Sequence, residues 1–518
     1  MLNVNKGQVM SSEIVWLLLV GYVQCARILV VVPTPSFSHQ VVFRPLTQQL
    51  ARRGHSLVVL TTDPAPPHPN VTQIDLHDSY DLWRERFIKT ASGRKNDLYN
   101  QMYTALDLMV EIFEKQMGFP EVVKLLGDPG QKFDLVLAEA WVHPTLALGH
   151  HFRAPVIQVS SAGVMNEVYE AMGSPGYSYL HTDFLRTRIY NLTLWEEAQE
   201  LYNRYRLHQL FISFEEKEEA MLRRVFGEGR EGREGGLPPL RDLKREVELV
   251  FVNVDPLWDG LRPAPPGVLH LGGLHIPPPQ ELPQELKAWL DASPRGVVYV
   301  SFGTNTDPAL LGAASMATLR RVLGALPYDV LWRRAPPPLP ANARHAHWLP
   351  QPDLLRHEKI VLFITQAGLQ SLDEALRCGV PLLALPLLGD QWFNAEQIQR
   401  YGAGRRLHLD TLTDSELNQT IYTLINDKSY RENSRRLGAA MRDRPQSSLE
   451  CAVWWTERVL RRRGGLRLRP TPPSPPLPLP LPLAAAALAA AVATAAALAA
   501  CYCICISLLR GARKMKTA

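Results

Sequence analysis

Residues 361–401, VLFITQAGLQSLDEALRCGVPLLALPLLGDQWFNAEQIQRY, decide the fold. The apolar, β-branched run over 361–365 predicts a buried strand. Gln366, Ala367 and Gly368 make a turn. Leu369, Leu372, Ala375 and Leu376 then carry helical spacing, and Gly379-Val380-Pro381 stops the helix. A second apolar run, 381–388, predicts a second strand, with Gly389, Asp390 and Gln391 at its carboxyl end before another helix. In a parallel α/β sheet, ligands bind outside the carboxyl ends of the strands, and helix N-termini attract phosphate. Gly368, Gln370 and Ser371 can therefore offer amides and side chains to a diphosphate. Glu374 lies one turn into the helix, where a carboxylate can accept two ribose hydroxyls. Asp390 and Gln391 can hydrogen-bond a sugar ring. The pattern also fits an ordinary βαβ unit with a polar loop.

Upstream, residues 27–32 predict a first strand, 40–53 a helix capped by Gly54, and 56–62 the next strand. This βαβ start lacks GxGxxG, so no dinucleotide fingerprint is present. His39 stands where the first strand's loop enters the helix, an active-site position in an open α/β sheet. Residues 98–117 predict an amphipathic helix, 133–138 (FDLVLA) a strand followed by Glu139, and 154–160 another strand. Residues 167–245 read mostly as helices and loops, with a charged Gly-rich loop at 227–236. A second series starts at 249–254. It continues through the strand 296–301, the turn Phe302-Gly303-Thr304, a helix near 316–326 and the strand 328–332. Gly303 and Thr304 offer a second set of backbone donors. Two strand-helix series joined near 240–260 predict twin Rossmann-like domains, 27–245 and 246–465, facing a cleft.

Composition sets the bounds. The chain has 518 residues, room for two sizeable domains, with 46% hydrophobic and 21% charged residues. Its net charge of +5 sits largely in short runs near the C-terminus, so no nucleic-acid footprint is implied. Of six cysteines, Cys378 and Cys451 lie in the globular part, where they could pair or stay as buried thiols. No Cys/His spacing suggests zinc. An apolar run at 14–23 ending at Cys25-Ala26 predicts a signal peptide over 1–26. Asn70, Asn191 and Asn418 then become glycosylation acceptors of a glycoprotein. A Pro-rich linker, 466–482, leads to an uncharged stretch, 483–509, of transmembrane-helix length, and to a basic tail, 510–518. The tail ends in a K-x-K-x-x dilysine pattern. These features predict a single-pass anchor in the endoplasmic-reticulum membrane with the globular part luminal.

Trp348-Leu349-Pro350-Gln351, Gln366-Ala367-Gly368, Gln370-Ser371, Glu374 and Asp390-Gln391 together resemble the signature of the UDP-glycosyltransferase family. The variant resembles the insect branch, where Gln often replaces His at the first motif position, here Gln366. Resemblance continues through Arg262-Pro263, Gly272-Gly273-Leu274-His275, Ser301-Phe302-Gly303-Thr304 and Pro33-Thr34-Pro35-Ser36-Phe37-Ser38-His39. It implies the GT-B fold, an acceptor-binding first domain and a UDP-sugar-binding second domain. The last helix before the linker would cross back to the first domain. His39 would be the general base, an imidazole suiting proton transfer near neutral pH. Glu139, where the family usually has Asp, would hold its far nitrogen. Arg262 resembles a donor-contacting arginine. Trp348 would stack on uracil and Gln351 read its edge, while Thr304, Gln370, Ser371 and helix amides would stabilise the leaving UDP.

The resemblance implies a co-substrate, UDP-glucose, and no cofactor. No DxD triplet occurs, so a metal-bridged diphosphate is not indicated. Displacement from an α-linked donor would give a β-glycoside by inversion. The acceptors implied are small lipophilic hydroxyl compounds (phenolics, xenobiotics or steroids), in detoxification or hormone conjugation. A homo-oligomer stays open. One departure is Ala367, where the family usually has Gly and where a methyl could crowd the phosphate approach. Ala367 and Glu139 are the support for a second reading, a GT-B-like lipophile-binding or accessory membrane protein without turnover.

Overall fold

Each central apolar run becomes a strand because it is covered on both faces, as a parallel sheet flanked by helices requires. The structure, a computed structural model, describes residues 25–88, 98–174, 184–227, 236–260, 262–304, 311–462, 468 and 481–515. The signal-peptide reading, apart from Cys25 and Ala26, and the Gly-rich loop, apart from Gly227 and Gly236, fall outside the described residues. So do most of the Pro-rich linker and the dilysine end. The chain divides into two compact units, Met1–Arg469 and Pro470–Ala518.

Among the described residues of the first unit, strands form two parallel sheets. The first is β1 (Arg27–Val32), β2 (Ser56–Thr61), β3 (Val71–Asp75), β4 (Leu135–Glu139), β5 (Val156–Ser160), β6 (Leu249–Val252) and β7 (Val268–His270). Its order is β3-β2-β1-β4-β5-β6-β7. The second holds β8 (Val297–Ser301), β9 (Asp329–Arg333), β10 (Ala343–Ala346), β11 (Ile360–Thr365), β12 (Leu382–Ala384) and β13 (Gly404–Arg406). Its order is β10-β9-β8-β11-β12-β13. Both follow the doubly wound pattern, in which the direction of the winding reverses beside the first strand and opens a crevice there. The crevices lie between β1 and β4, and between β8 and β11.

Two boundaries move. The expected start of the second domain at 246 is corrected, because β6 pairs with β5 and β7 with β6 in the first sheet. A buried apolar run such as Leu249–Val252 carries no mark of the sheet it joins. The Ser448–Arg462 helix also returns to the first half, as the resemblance implied. Ala452, Val453 and Val459 pack into the core beneath β1 and the Phe37–Arg52 helix. Arg53 Nε donates to Glu457 Oε1 at 2.5 Å, and Arg53 Nη2 to Oε2 at 3.0 Å. Cys378 and Cys451 are free thiols.

The second unit contains the Leu481–Met515 helix. The transmembrane reading is corrected: among the described residues no helix is long and apolar enough to cross a membrane. Alanine dominates this helix, and its single methyl contributes little transfer free energy. The single-pass anchor in the endoplasmic-reticulum membrane falls with it.

Candidate active site

Strand register assembles the first corner of the site. β1 and β4 run parallel with Val31 beside Ala138, so Glu139 reaches the end of β1, where the chain turns through Thr34 into the Phe37–Arg52 helix. His39 sits in that helix's first turn, and its Nδ1 meets Glu139 Oε1. The Glu139 side chain has no exposed surface. Thr34 donates to its Oε2 from the backbone N (3.2 Å) and from Oγ1 (2.7 Å). Trp141 Nε1 donates to Oε1 at 3.0 Å. With His39, four donors converge on one carboxylate, the satisfaction that a buried acid needs. A carboxylate only accepts, so Nδ1 carries the hydrogen and Nε2 keeps its lone pair. Ser161 Oγ lies 3.1 Å from the same Nδ1.

The second sheet supplies turns in place of side chains. Thr365 pairs with Ser301, so the turns after β11 and β8 are neighbours. Gly303 has φ +76°, and a Cβ there would lie 2.2 Å from Gln366 Nε2. Only glycine fits both the left-handed backbone and that approach. Gln366 Oε1 accepts from Thr365 Oγ1 at 3.0 Å. Gly368 is the extended N-cap of the Leu369–Cys378 helix. Thr304 gives its carbonyl to Arg334 Nη1 at 3.1 Å. Ala367 has φ +69° and is fully buried, so its methyl lies in the apolar core and does not stand in an open phosphate approach.

Gln351 links the pieces of this half. Its Oε1 accepts from the Tyr299 hydroxyl (2.8 Å), and its Nε2 donates to Ser371 Oγ (2.9 Å) and Glu374 Oε2 (2.8 Å). Burial pushes the Glu374 carboxyl up to about 7, against the Gln351 hydrogen bond. Trp348 is 56% exposed, meets Phe37 edge-on at 4.9 Å, and carries the Arg333 guanidinium 4.7 Å from its ring. Asp390 accepts from Asn394 Nδ2 at 2.8 Å. Burial pushes the Asp390 carboxyl up to about 6, opposed by the Asn394 amide and by the nearby charge of His39. Gln391 Oε1 accepts from Leu387 N and Leu388 N, both at 2.9 Å, and so fixes its own loop.

Not every expected residue joins this set. Arg262 pairs with Asp259 (2.9 Å), donates to Asn166 Oδ1 (2.8 Å) and stacks 3.8 Å from the Tyr169 ring centre. None of these partners belongs to the donor turns. The Gln370 side chain leaves its own half, its Nε2 donating to the Ser161 carbonyl at 2.8 Å and the Ser38 carbonyl at 3.4 Å. Trp141, Ser161 and Gln101 escaped the sequence reading, and Thr34 stood in a motif without a role of its own; Gln101 Oε1 accepts from Gly389 N across the cleft at 3.1 Å. For Thr34 and Ser161 a signal did exist, since both follow the ends of central strands.

Two parallel sheets facing a cleft, with an imidazole-carboxylate pair at one switch point and a glycine-lined helix N-terminus at the other, define a GT-B glycosyltransferase. The family described as UDP-glucoronosyl and UDP-glucosyl transferase matches residues 26–473. An ecdysteroid UDP-glucosyltransferase of Lymantria dispar multicapsid nuclear polyhedrosis virus is 35% identical over 453 residues, 85% of this chain and 88% of the viral protein. A UDP-glycosyltransferase of Dactylopius coccus is 28% identical over 86% of this chain and 85% of its own. A solved UDP-glucosyltransferase from Polygonum tinctorium superposes with a TM-score of 0.56 at 17% identity, covering 84% of this chain and 99% of that one. The chain belongs to this family and is a UDP-glycosyltransferase.

Proposed function

We propose that this chain transfers glucose from UDP-glucose to a hydroxyl of a small lipophilic acceptor, with inversion at the anomeric carbon. The acceptor oxygen bonds the sugar C1 while His39 Nε2 takes the hydroxyl proton. The C1–O bond to the diphosphate breaks, and UDP leaves with the bonding pair. Glu139 holds the Nδ1 hydrogen and balances the imidazolium that forms. The Gly303 turn and the Gly368-capped helix meet the diphosphate. Glu374 receives the ribose hydroxyls, Asp390 and Gln391 the sugar, and Trp348 the uracil face.

One observation carries the reading. His39 faces buried Glu139 at the switch point of one sheet, and the first turn of the Gly368-capped helix at the other reaches the backbone beside His39 through Gln370. The names of the viral relatives favour a polyhydroxylated steroid as acceptor, with phenolics as the comparison class.

The test is turnover by the purified chain, with UDP-glucose and UDP-glucuronic acid offered to ecdysteroids and simple phenols. We expect β-glucosides from UDP-glucose, and a loss on the order of 10²–10⁴-fold for His39→Ala with UDP affinity kept. A wild type inert with every donor, or a His39→Ala enzyme at full rate, overturns the reading.

A further inference from the structure

We propose that Gln370 and Ser161 form a latch between the two halves that positions His39, and that the Gln370 side chain acts through this latch without touching the diphosphate. This rests on the glucosyl-transfer reading above.

Gln370 sits in the first turn of the Leu369–Cys378 helix, where an amide side chain would be expected to face phosphate. Its hydrogen-bond capacity argues otherwise. A glutamine amide nitrogen has two hydrogens. Here both have carbonyl acceptors in the opposite half, Ser161 O at 2.8 Å and Ser38 O at 3.4 Å. What remains is Oε1, an acceptor, which offers nothing to an anion.

Both carbonyls belong to residues that frame the base. Ser38 precedes His39 in the chain. Ser161, just past β5, puts its hydroxyl 3.1 Å from His39 Nδ1. A side chain on the donor helix therefore grips the backbone on two sides of the imidazole.

The donor end of the latch is itself anchored. His275 Nε2 lies 3.2 Å from the Gln370 carbonyl, and Asn253 Nδ2 lies 3.2 Å from His275 Nδ1. Asn253 Oδ1 accepts from Leu274 N at 3.0 Å, so its Nδ2 is the nitrogen that donates to the ring. The hydrogen of a neutral His275 must then sit on Nε2 and point at Gln370. Burial lowers the His275 pKa, which keeps the ring neutral. The first turn of the donor helix is thus fixed from behind while its side chain reaches forward. Through these contacts the donor helix holds the backbone on both sides of His39, and with it the line from His39 to Glu139.

The test compares kcat, KM for UDP-glucose and calorimetric UDP affinity in Gln370→Ala, Ser161→Ala, Ser161→Thr and the double alanine variant. We expect Gln370→Ala and Ser161→Ala each to lower kcat by about 10-fold or more. UDP affinity should stay within about twofold, which also shows that the donor half is folded. Ser161→Thr, keeping the hydroxyl, should recover most of the rate. The double variant should be no worse than the worse single one, because both cut one chain of contacts. An unchanged kcat with UDP binding weakened about 10-fold in Gln370→Ala would make it a diphosphate contact and overturn the latch. Strictly additive losses would overturn it too.

A readout independent of turnover separates this from failure of the glucosyl-transfer reading. In the full chain with ¹⁵N-labelled histidine, UDP should shift the His39 ring resonances in the wild type and not in Gln370→Ala. Equal responses, or none in either, sink the latch whether or not sugar is transferred.

Discussion

The two sheets share one order over six strands, the first adding β7 at its edge, and differ in what stands at their carboxyl ends. The first half crowds its switch point with side chains that satisfy one another: Glu139 takes hydrogen bonds from His39, Thr34 and Trp141 without help from a ligand. The second half clears its switch point with glycine and keeps two acids, Glu374 and Asp390, whose carboxyls burial has pushed up to about 7 and about 6. One corner is finished before substrate arrives. The other is an acceptor set that ribose and sugar hydroxyls would complete. On the proposed reading, preorganisation is placed where a proton moves, and adaptability where a nucleotide enters and leaves.

The largest expected effect comes from breaking the finished corner. Glu139→Gln keeps the size but replaces an oxygen with an NH2. If that NH2 faces Thr34 or Trp141, donor meets donor. If it faces His39, Nδ1 must become an acceptor and Nε2 carries the hydrogen. The base is then in the wrong tautomer, and kcat should fall on the order of 10³-fold or more with UDP binding unchanged. Rates and UDP titrations on the same preparation check this. A loss smaller than about 10-fold would mean that the corner is not finished in the sense argued.

The next effect sharpens the contrast on the donor side. Ribose hydroxyls donating to Glu374 favour its ionised form, while the free protein holds the proton below about 7. Binding then releases a proton, and UDP affinity should fall as pH drops through 7, by roughly 10-fold between pH 8 and pH 6. The sign for stability is opposite. A carboxyl raised in the folded state adds stability below its unfolded pKa, and that stability is lost as pH rises through about 7. UDP-glucose should add a further decline near pH 6, where Asp390 takes up its proton. Calorimetry in buffers of different ionisation enthalpy measures the protons directly. Glu374→Gln should flatten the UDP profile, and a wild-type profile that is already flat would remove Glu374 from the ribose.

The same contrast explains what was legible in the sequence. Central strands such as β1, β4, β8 and β11 show as apolar runs because both faces are covered. The strands that went unread, β3, β7, β10 and β13, are the four sheet edges, where Val71–Asp75 and Gly404–Arg406 carry polar and charged residues. The donor turns could be read because their glycines, Gln366, Glu374 and Asp390 lie within one short stretch. The base corner could be read only in part, since Thr34 meets Glu139, and His39 meets Ser161, across separations of 105 and 122 residues. No local pattern marks such contacts. Sequence likewise does not reveal that Arg262 is held by Asp259, Asn166 and Tyr169.

Ala367 tests the donor side at its smallest scale. Its φ of +69° costs an alanine about 1–2 kcal/mol that a glycine would not pay. Its methyl is nonetheless buried with core residues, worth about 0.8 kcal/mol, and glycine brings about 0.5–1 kcal/mol of extra backbone entropy to the unfolded chain. These terms oppose one another, so Ala367→Gly should change stability by less than about 1 kcal/mol. UDP affinity should move by less than about twofold, because the methyl faces the core and Asn394 Nδ2 holds the Ala367 carbonyl at 3.0 Å. Thermal unfolding and a UDP titration of this one variant decide it. Affinity that tightened about 10-fold would put the methyl on the ligand face, and the donor half would then be partly closed and not cleared.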